Sequence, residues 1–122
     1  MNDLNIKDKV AVITGGAGFI CSAMAKSLAA QGVKCAILDL NKEAAVAVAR
    51  EIEKEFRTSA IGLSANVLDK VSLELAKKEI NDKFGPIDIL VNGAGGNSPA
   101  ATTKVEKMNG TDNEKLEDTF FG

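Results

Sequence analysis

An apolar, β-branched run that breaks into glycines and then opens a helical pattern constrains this chain more than anything else in it. Val10-Ala-Val-Ile-Thr14 leads directly into Gly15-Gly16-Ala17-Gly18-Phe19-Ile20. Glycines let a backbone turn sharply and approach a bulky anion with no Cβ in the way. The helix that follows aims its first N–H groups and its positive dipole end at the same place. This bend between a strand and a helix is therefore predicted to hold a diphosphate.

Strand and helix signals alternate from Val10 to Asn92 with short turns between them, the pattern of parallel βαβ units. Strands are predicted at Val10–Thr14, Lys34–Asp39, about Ser59–Ser64 and Ile87–Asn92. The first helix is predicted from about Gly18 to Gln31, with Ile20, Met24 and Leu28 on one apolar stripe and Gly32 as its C-terminal cap. Asn41 is placed to cap the second helix, which carries Val48, Ile52 and Phe56 at helical spacing. The third begins near Asp69, turns Leu73, Ala76, Ile80 and Phe84 inward, and stops at Gly85-Pro86. Right-handed crossovers give strand order 3-2-1-4, half of a doubly wound α/β sheet. A ligand is then expected at the C-terminal ends of strands one and four, where the winding reverses.

Residues 1–96 read as this half-domain and 97–122 as a polar tail, mostly loop. With no further strand beside it, the fourth strand would be an open sheet edge, which favours self-association as a homo-oligomer. With 122 residues, 45% apolar and 26% charged, the composition is that of one globular domain. A net charge of −2 supplies no basic excess for nucleic acid or an anionic membrane surface. No apolar run has the length of a membrane span, and the first residues do not read as a secretory signal. Cys21 and Cys35 then read as reduced, buried residues of a cytoplasmic protein. A less favoured reading gives Cys21 a reactive thiol near a helix N-terminus. The chain contains no histidine, which removes Ser–His pairs and His-based metal sites, and no metal site is expected.

Thr14-Gly-Gly-Ala-Gly-Phe-Ile20, Asp39 closing the second strand, Asn66-Val67, and Asp88-Ile-Leu-Val-Asn-Gly-Ala-Gly95 occur in that order. Together they resemble the short-chain dehydrogenase/reductase family over residues 6–96, with a Rossmann-like fold. The loop Asn92–Thr103 is similar to that of sugar-acid members, the D-mannonate oxidoreductase (fructuronate reductase) type. One family spacing, Thr-Gly-x-x-x-Gly-x-Gly, needs glycine where Phe19 and Cys21 stand. The other, Thr-Gly-x-x-Gly-x-x-Gly, accepts Gly15 and Gly18 and leaves Cys21 in the last place. In both, a cysteine occupies a position that serves close helix–strand packing, which is expected to push the helix outward and adjust cofactor binding.

The resemblance implies a nicotinamide dinucleotide held by Gly15, Gly16, Gly18, Phe19 and Ile20 at the bend. Asp39 and Leu40 would lie at the adenosine ribose, Asn66 and Val67 at the adenine, and Asn92, Gly93, Ala94 and Gly95 at the nicotinamide ribose. A carboxylate at Asp39 accepts from ribose hydroxyls and repels a 2′-phosphate, favouring NAD over NADP, with nearby Lys42 the one feature against. Asn66 serves equally well as a turn residue before a helix. Ser98, Thr102 and Thr103 read as loop polars sooner than as substrate contacts. The family's chemistry needs a tyrosine and a lysine four residues later, and this chain contains no tyrosine, so it assigns no catalytic residue. The reading is the NAD-binding part of an oxidoreductase acting on a hydroxy/keto pair, a sugar acid or alcohol. The competing reading is a binding or sensing module without catalysis.

Overall fold

The structure, a computed structural model, describes residues 6–93 and the backbone of residues 103–107. Along the chain run β1 (Val10–Thr14), α1 (Phe19–Ala29), β2 (Lys34–Asp39), α2 (Lys42–Phe56), β3 (Ala60–Ser64), α3 (Lys70–Phe84), β4 (Ile89–Gly93) and β5 (Thr103–Lys107). They form one sheet in the order β3-β2-β1-β4-β5, parallel throughout β3, β2, β1 and β4. The predicted doubly wound, Rossmann-like arrangement is the one observed.

Side-chain alternation in the central strands divides the core in two. Ala11 and Ile13 of β1 join Cys35 and Ile37 of β2 beneath Ala25 and Ala29 of α1 and Ala45, Ala49 and Ile52 of α2. Val10 and Val12 face the other way with Ala36, Leu38 and Leu90, under Leu73, Ala76 and Ile80 of α3. Both faces of β1 and β2 are thus covered, which is why their sequences are almost continuously apolar. Each fully buried Ile or Leu here contributes about 1.5–3 kcal/mol as an upper estimate.

Local chemistry explains the helix ends. The Asn41 carboxamide accepts from the Ala44 N–H, and the Asp69 carboxylate accepts from Val71 and Ser72. At the far end of α3, Gly85 takes φ +95°, and Pro86 prevents continuation. Gly62 has a packing role: a Cβ there would overlap the backbone of Ala45 and Val46, so its absence lets α2 rest directly on β3.

Three expectations are corrected. The inward stripe of α1 is Cys21, Ala25 and Ala29, with Met24 and Leu28 only partly buried against the core and Ile20 63% exposed. Small residues win that face because they let the helix approach the sheet closely, a preference that apolar spacing alone does not register. The helix closes at Ala30, with Gly32 at φ +86° two residues beyond. The β4 edge is not open: β5 pairs antiparallel to it from Gly93↔Thr103 to Ile89↔Lys107. Part of the segment expected to be loop is therefore strand, because an unpaired row of N–H and C=O groups is satisfied by the chain folding back. This removes the open β4 edge as a reason for self-association. The rest of the tail, 94–102 and 108–122, lies outside the described residues.

Gly62→Ala is expected to destabilise the protein by about 1–3 kcal/mol through overpacking of α2 on β3. Urea unfolding should show a lower midpoint at unchanged slope.

Candidate functional site

The C-terminal ends of β1 and β4 lie side by side, with Thr14 in register with Asn92. Between β1 and α1 the chain turns through Gly15, whose φ of +61° lies in the left-handed region that glycine adopts without steric cost. The turn is held from both sides. The Gly16 N–H donates to the Leu38 carbonyl at 3.0 Å and the Gly18 N–H to the Gly15 carbonyl at 3.0 Å. A Cβ on Gly16 would stand 2.6 Å from Ile37 Cγ2, so the bend lies flat on β2.

Gly18 is the N-cap of α1 and offers no side chain to the helix, and the first turn holds no acidic residue. The first intrahelical bond runs from the Ser22 N–H to the Gly18 carbonyl, leaving the Phe19 and Ile20 amides ahead of the ladder. Side chains cap both α2 and α3. The helix that starts at the glycine bend thus carries its positive end into the crevice without a capping group.

Asp39 closes the crevice on the β2 side. Its Oδ2 accepts from the Ala17 N–H at 3.1 Å, and its Oδ1 accepts from the Asn41 N–H at 3.1 Å. The carboxylate is thereby fixed against the glycine bend, and further lone pairs remain to accept from a ligand hydroxyl. Phe19 is 90% exposed, and Leu40, next to Asp39, is 73% exposed. The Phe19 ring therefore does not pack inward.

Sequence reasoning did not single out the hydroxyl that joins the two strand ends. Thr14 Oγ1 donates to Asn92 Oδ1 at 2.9 Å and accepts from the Gly93 N–H at 3.0 Å. Thr14 is a buried polar residue, 1% exposed, and both functions of its hydroxyl are satisfied. At the opposite end of the same strands, Asp88 Oδ2 accepts from the Val10 N–H at 3.0 Å, while the Asp88 N–H donates to the Val10 carbonyl. The only available signal was placement: a polar residue at each boundary of an apolar run.

Gly15, Gly16, Gly18, Phe19, Ile20 and Asp39 are gathered around one bend, with Asn92 and Gly93 on the adjoining strand end. Asn66 and Val67 follow β3 at the same edge of the sheet. There Asn66 Oδ1 accepts from the Leu68 N–H and its own N–H donates to Ser72 Oγ, so its turn role is realised. Val67 packs against the α3 side of the core. Ala94 and Gly95 lie outside the described residues, as do Ser98 and Thr102, and Thr103 opens β5. Burial pushes the Cys35 thiol up to about 12.

Comparison with known proteins places this geometry in context. The short chain dehydrogenase family pattern matches residues 9–120. The chain is 52% identical over 102 residues to an uncharacterized oxidoreductase, UxuB, of Bacillus subtilis (strain 168), covering 84% of this chain and 36% of that protein. It is 39% identical over 93 residues to D-threitol dehydrogenase of Mycolicibacterium smegmatis, covering 76% of this chain and 35% of that one. A hydroxysteroid dehydrogenase from Escherichia coli superposes with a TM-score of 0.73 at 31% identity, over 79% of this chain and 40% of its own. The chain therefore spans little more than a third of the curated relatives it matches.

Replacing the hydroxyl by a methyl in Thr14→Val leaves Asn92 Oδ1 and the Gly93 N–H without their partner. A loss of about 1–3 kcal/mol is expected in urea unfolding, with faster amide exchange at Gly93. The Cys35 thiol sets a pH dependence of opposite character to acid unfolding. Its folded pKa stands above the unfolded value of 9.0, so the folded chain holds the proton more tightly. Stability from this group is complete below pH 9 and falls as pH rises toward 12. Cys35→Ala should flatten that alkaline decline in chemical-denaturation series run from pH 8 to 11.

Proposed function

We propose, from the premise that the chain belongs to the short chain dehydrogenase family, that its crevice binds NAD as the cofactor part of an oxidoreductase. The observation that carries this reading is the uncapped start of α1 at a glycine bend, with a carboxylate fixed beside it at the end of β2. The residues present fit the dinucleotide. Gly15, Gly16 and Gly18 give the diphosphate a surface free of Cβ atoms, and the Phe19 and Ile20 amides face its charge. Asp39 and Leu40 receive the adenosine ribose, and Asn66 and Val67 border the adenine. Asn92, Gly93, Ala94 and Gly95 receive the nicotinamide ribose.

The bound nicotinamide supplies the hydride donor or acceptor of the whole protein's reaction. The residues of this chain bind and orient it. Thr14 does so indirectly, by fixing Asn92 and Gly93. The substrate is a hydroxy/keto pair on a small polyhydroxylated molecule, a sugar acid of the mannonate/fructuronate kind. Its support is the resemblance of the Asn92–Thr103 sequence to sugar-acid members, and the D-threitol dehydrogenase relative accords with a small polyhydroxylated substrate. These 122 residues hold no tyrosine to act as the acid–base group, so by themselves they bind the cofactor without turnover. The buried thiols Cys21 and Cys35 accord with a reducing cytoplasm.

Calorimetric titration tests the reading. The chain should bind NAD at least tenfold more tightly than NADP, because the Asp39 carboxylate opposes a 2′-phosphate. Asp39→Ala should weaken NAD about tenfold and narrow the gap. Equal or tighter binding of NADP by the unaltered chain overturns the cofactor assignment.

A further inference from the structure

The first turn of α1 and the end of β4 meet where Cys21 faces Gly93. Cys21 is 8% exposed, and its sulfur occupies the space that a side chain on Gly93 would take. A Cβ at position 93 would overlap Cys21 Sγ and stand 2.7 Å from the Thr14 carbonyl oxygen. The bulk at position 21 is therefore matched by the absence of bulk at position 93, and room for the sulfur is found at the strand end. This contact lies beside the Gly93 N–H bond to Thr14 Oγ1 and one residue before the Ser22 N–H that opens the helical ladder. Interiors are close-packed and a misfit of one methyl group is felt, so the summed size at 21 and 93 fixes how near the helix start sits to the strand end.

We propose that Cys21 and Gly93 are a coupled pair of positioning residues that sets the width of the crevice between α1 and β4, and hence how a dinucleotide seats there. The proposal rests on the cofactor reading above. Neither residue is required to react. Cys21 acts by its volume, holding the Phe19 and Ile20 amides at one distance from the β4 end where Asn92 and Gly93 lie.

A double-mutant cycle on the full 122-residue chain tests it, with NAD affinity read by calorimetry and the fold monitored by thermal unfolding. G93A should lose at least tenfold in affinity, and C21A/G93A should regain at least twofold of that loss, because removing the sulfur relieves one of the two overlaps and leaves the one with the Thr14 carbonyl oxygen. C21S, which keeps the shape, should bind within twofold of the unaltered chain. A double variant no better than G93A, or a G93A that binds like the unaltered chain, overturns the coupling. If G93A does not fold, C21V presses on the same contact from the helix side; a fivefold loss supports the pair and unchanged affinity overturns it.

Amide exchange at Ser22 and at position 93 reads the contact without any cofactor. Rates that rise tenfold in G93A and fall back in the double variant support the pair, and rates unchanged across the cycle overturn it. An unaltered chain that binds no NAD while the exchange rates show the coupling would sink the cofactor reading and leave the pair as a device that sets crevice width.

Discussion

The crevice depends on one buried hydroxyl. Thr14 ends β1, and its Oγ1 both donates to the Asn92 side chain and accepts from the Gly93 backbone. Apart from this hydroxyl and the Asp88 carboxylate at the opposite end, β1 and β4 are joined by their ladder, which stops where the glycine bend begins. A side-chain bond at that point carries the pairing one step further and fixes two residues of β4 relative to the turn. In a core built mainly from aliphatic groups, this satisfied polar contact also has a definite geometry, so it specifies position as well as adding stability.

Around that fixed point the crevice is assembled from omissions. Gly16 lets the bend lie on Ile37, Gly62 lets α2 lie on β3, and Gly93 makes room for Cys21. Each missing side chain lets one layer settle onto another, and the accumulated closeness brings the Asp39 carboxylate within 3.1 Å of the Ala17 amide. The acid and the amides of the α1 start then face one another across the bend, an arrangement suited to a ligand with an anionic centre and hydroxyls close by.

Much of this was legible in the sequence, and the exceptions share a cause. The bounds of β1 and β2 follow directly from apolar runs that stop at Thr-Gly and at Asp39, because strands buried on both faces admit little else. The caps Asn41 and Asp69 were readable because a short acceptor side chain before a helical pattern has one obvious use. The inward face of α1 was not, since Cys21, Ala25 and Ala29 are chosen for smallness while the larger Ile20 and Met24 attract the eye. Thr103–Lys107 does not read as a strand because four of its five residues are polar, and only the edge of β4 makes it one. The Cys21–Gly93 match escaped for the same reason: 72 positions apart in the chain, it exists only once the sheet has formed.

The bare start of α1 has a thermodynamic corollary. A helix lacking its own cap leaves part of its stabilisation to whatever anion arrives, so occupancy of the crevice and integrity of the helix draw on the same free energy. Any residue that supplied a permanent acceptor at position 18 would firm up the empty protein while competing for the very amides a guest requires. Glycine at that position offers no such acceptor, so an anion bound at the bend would add directly to the stability of the fold.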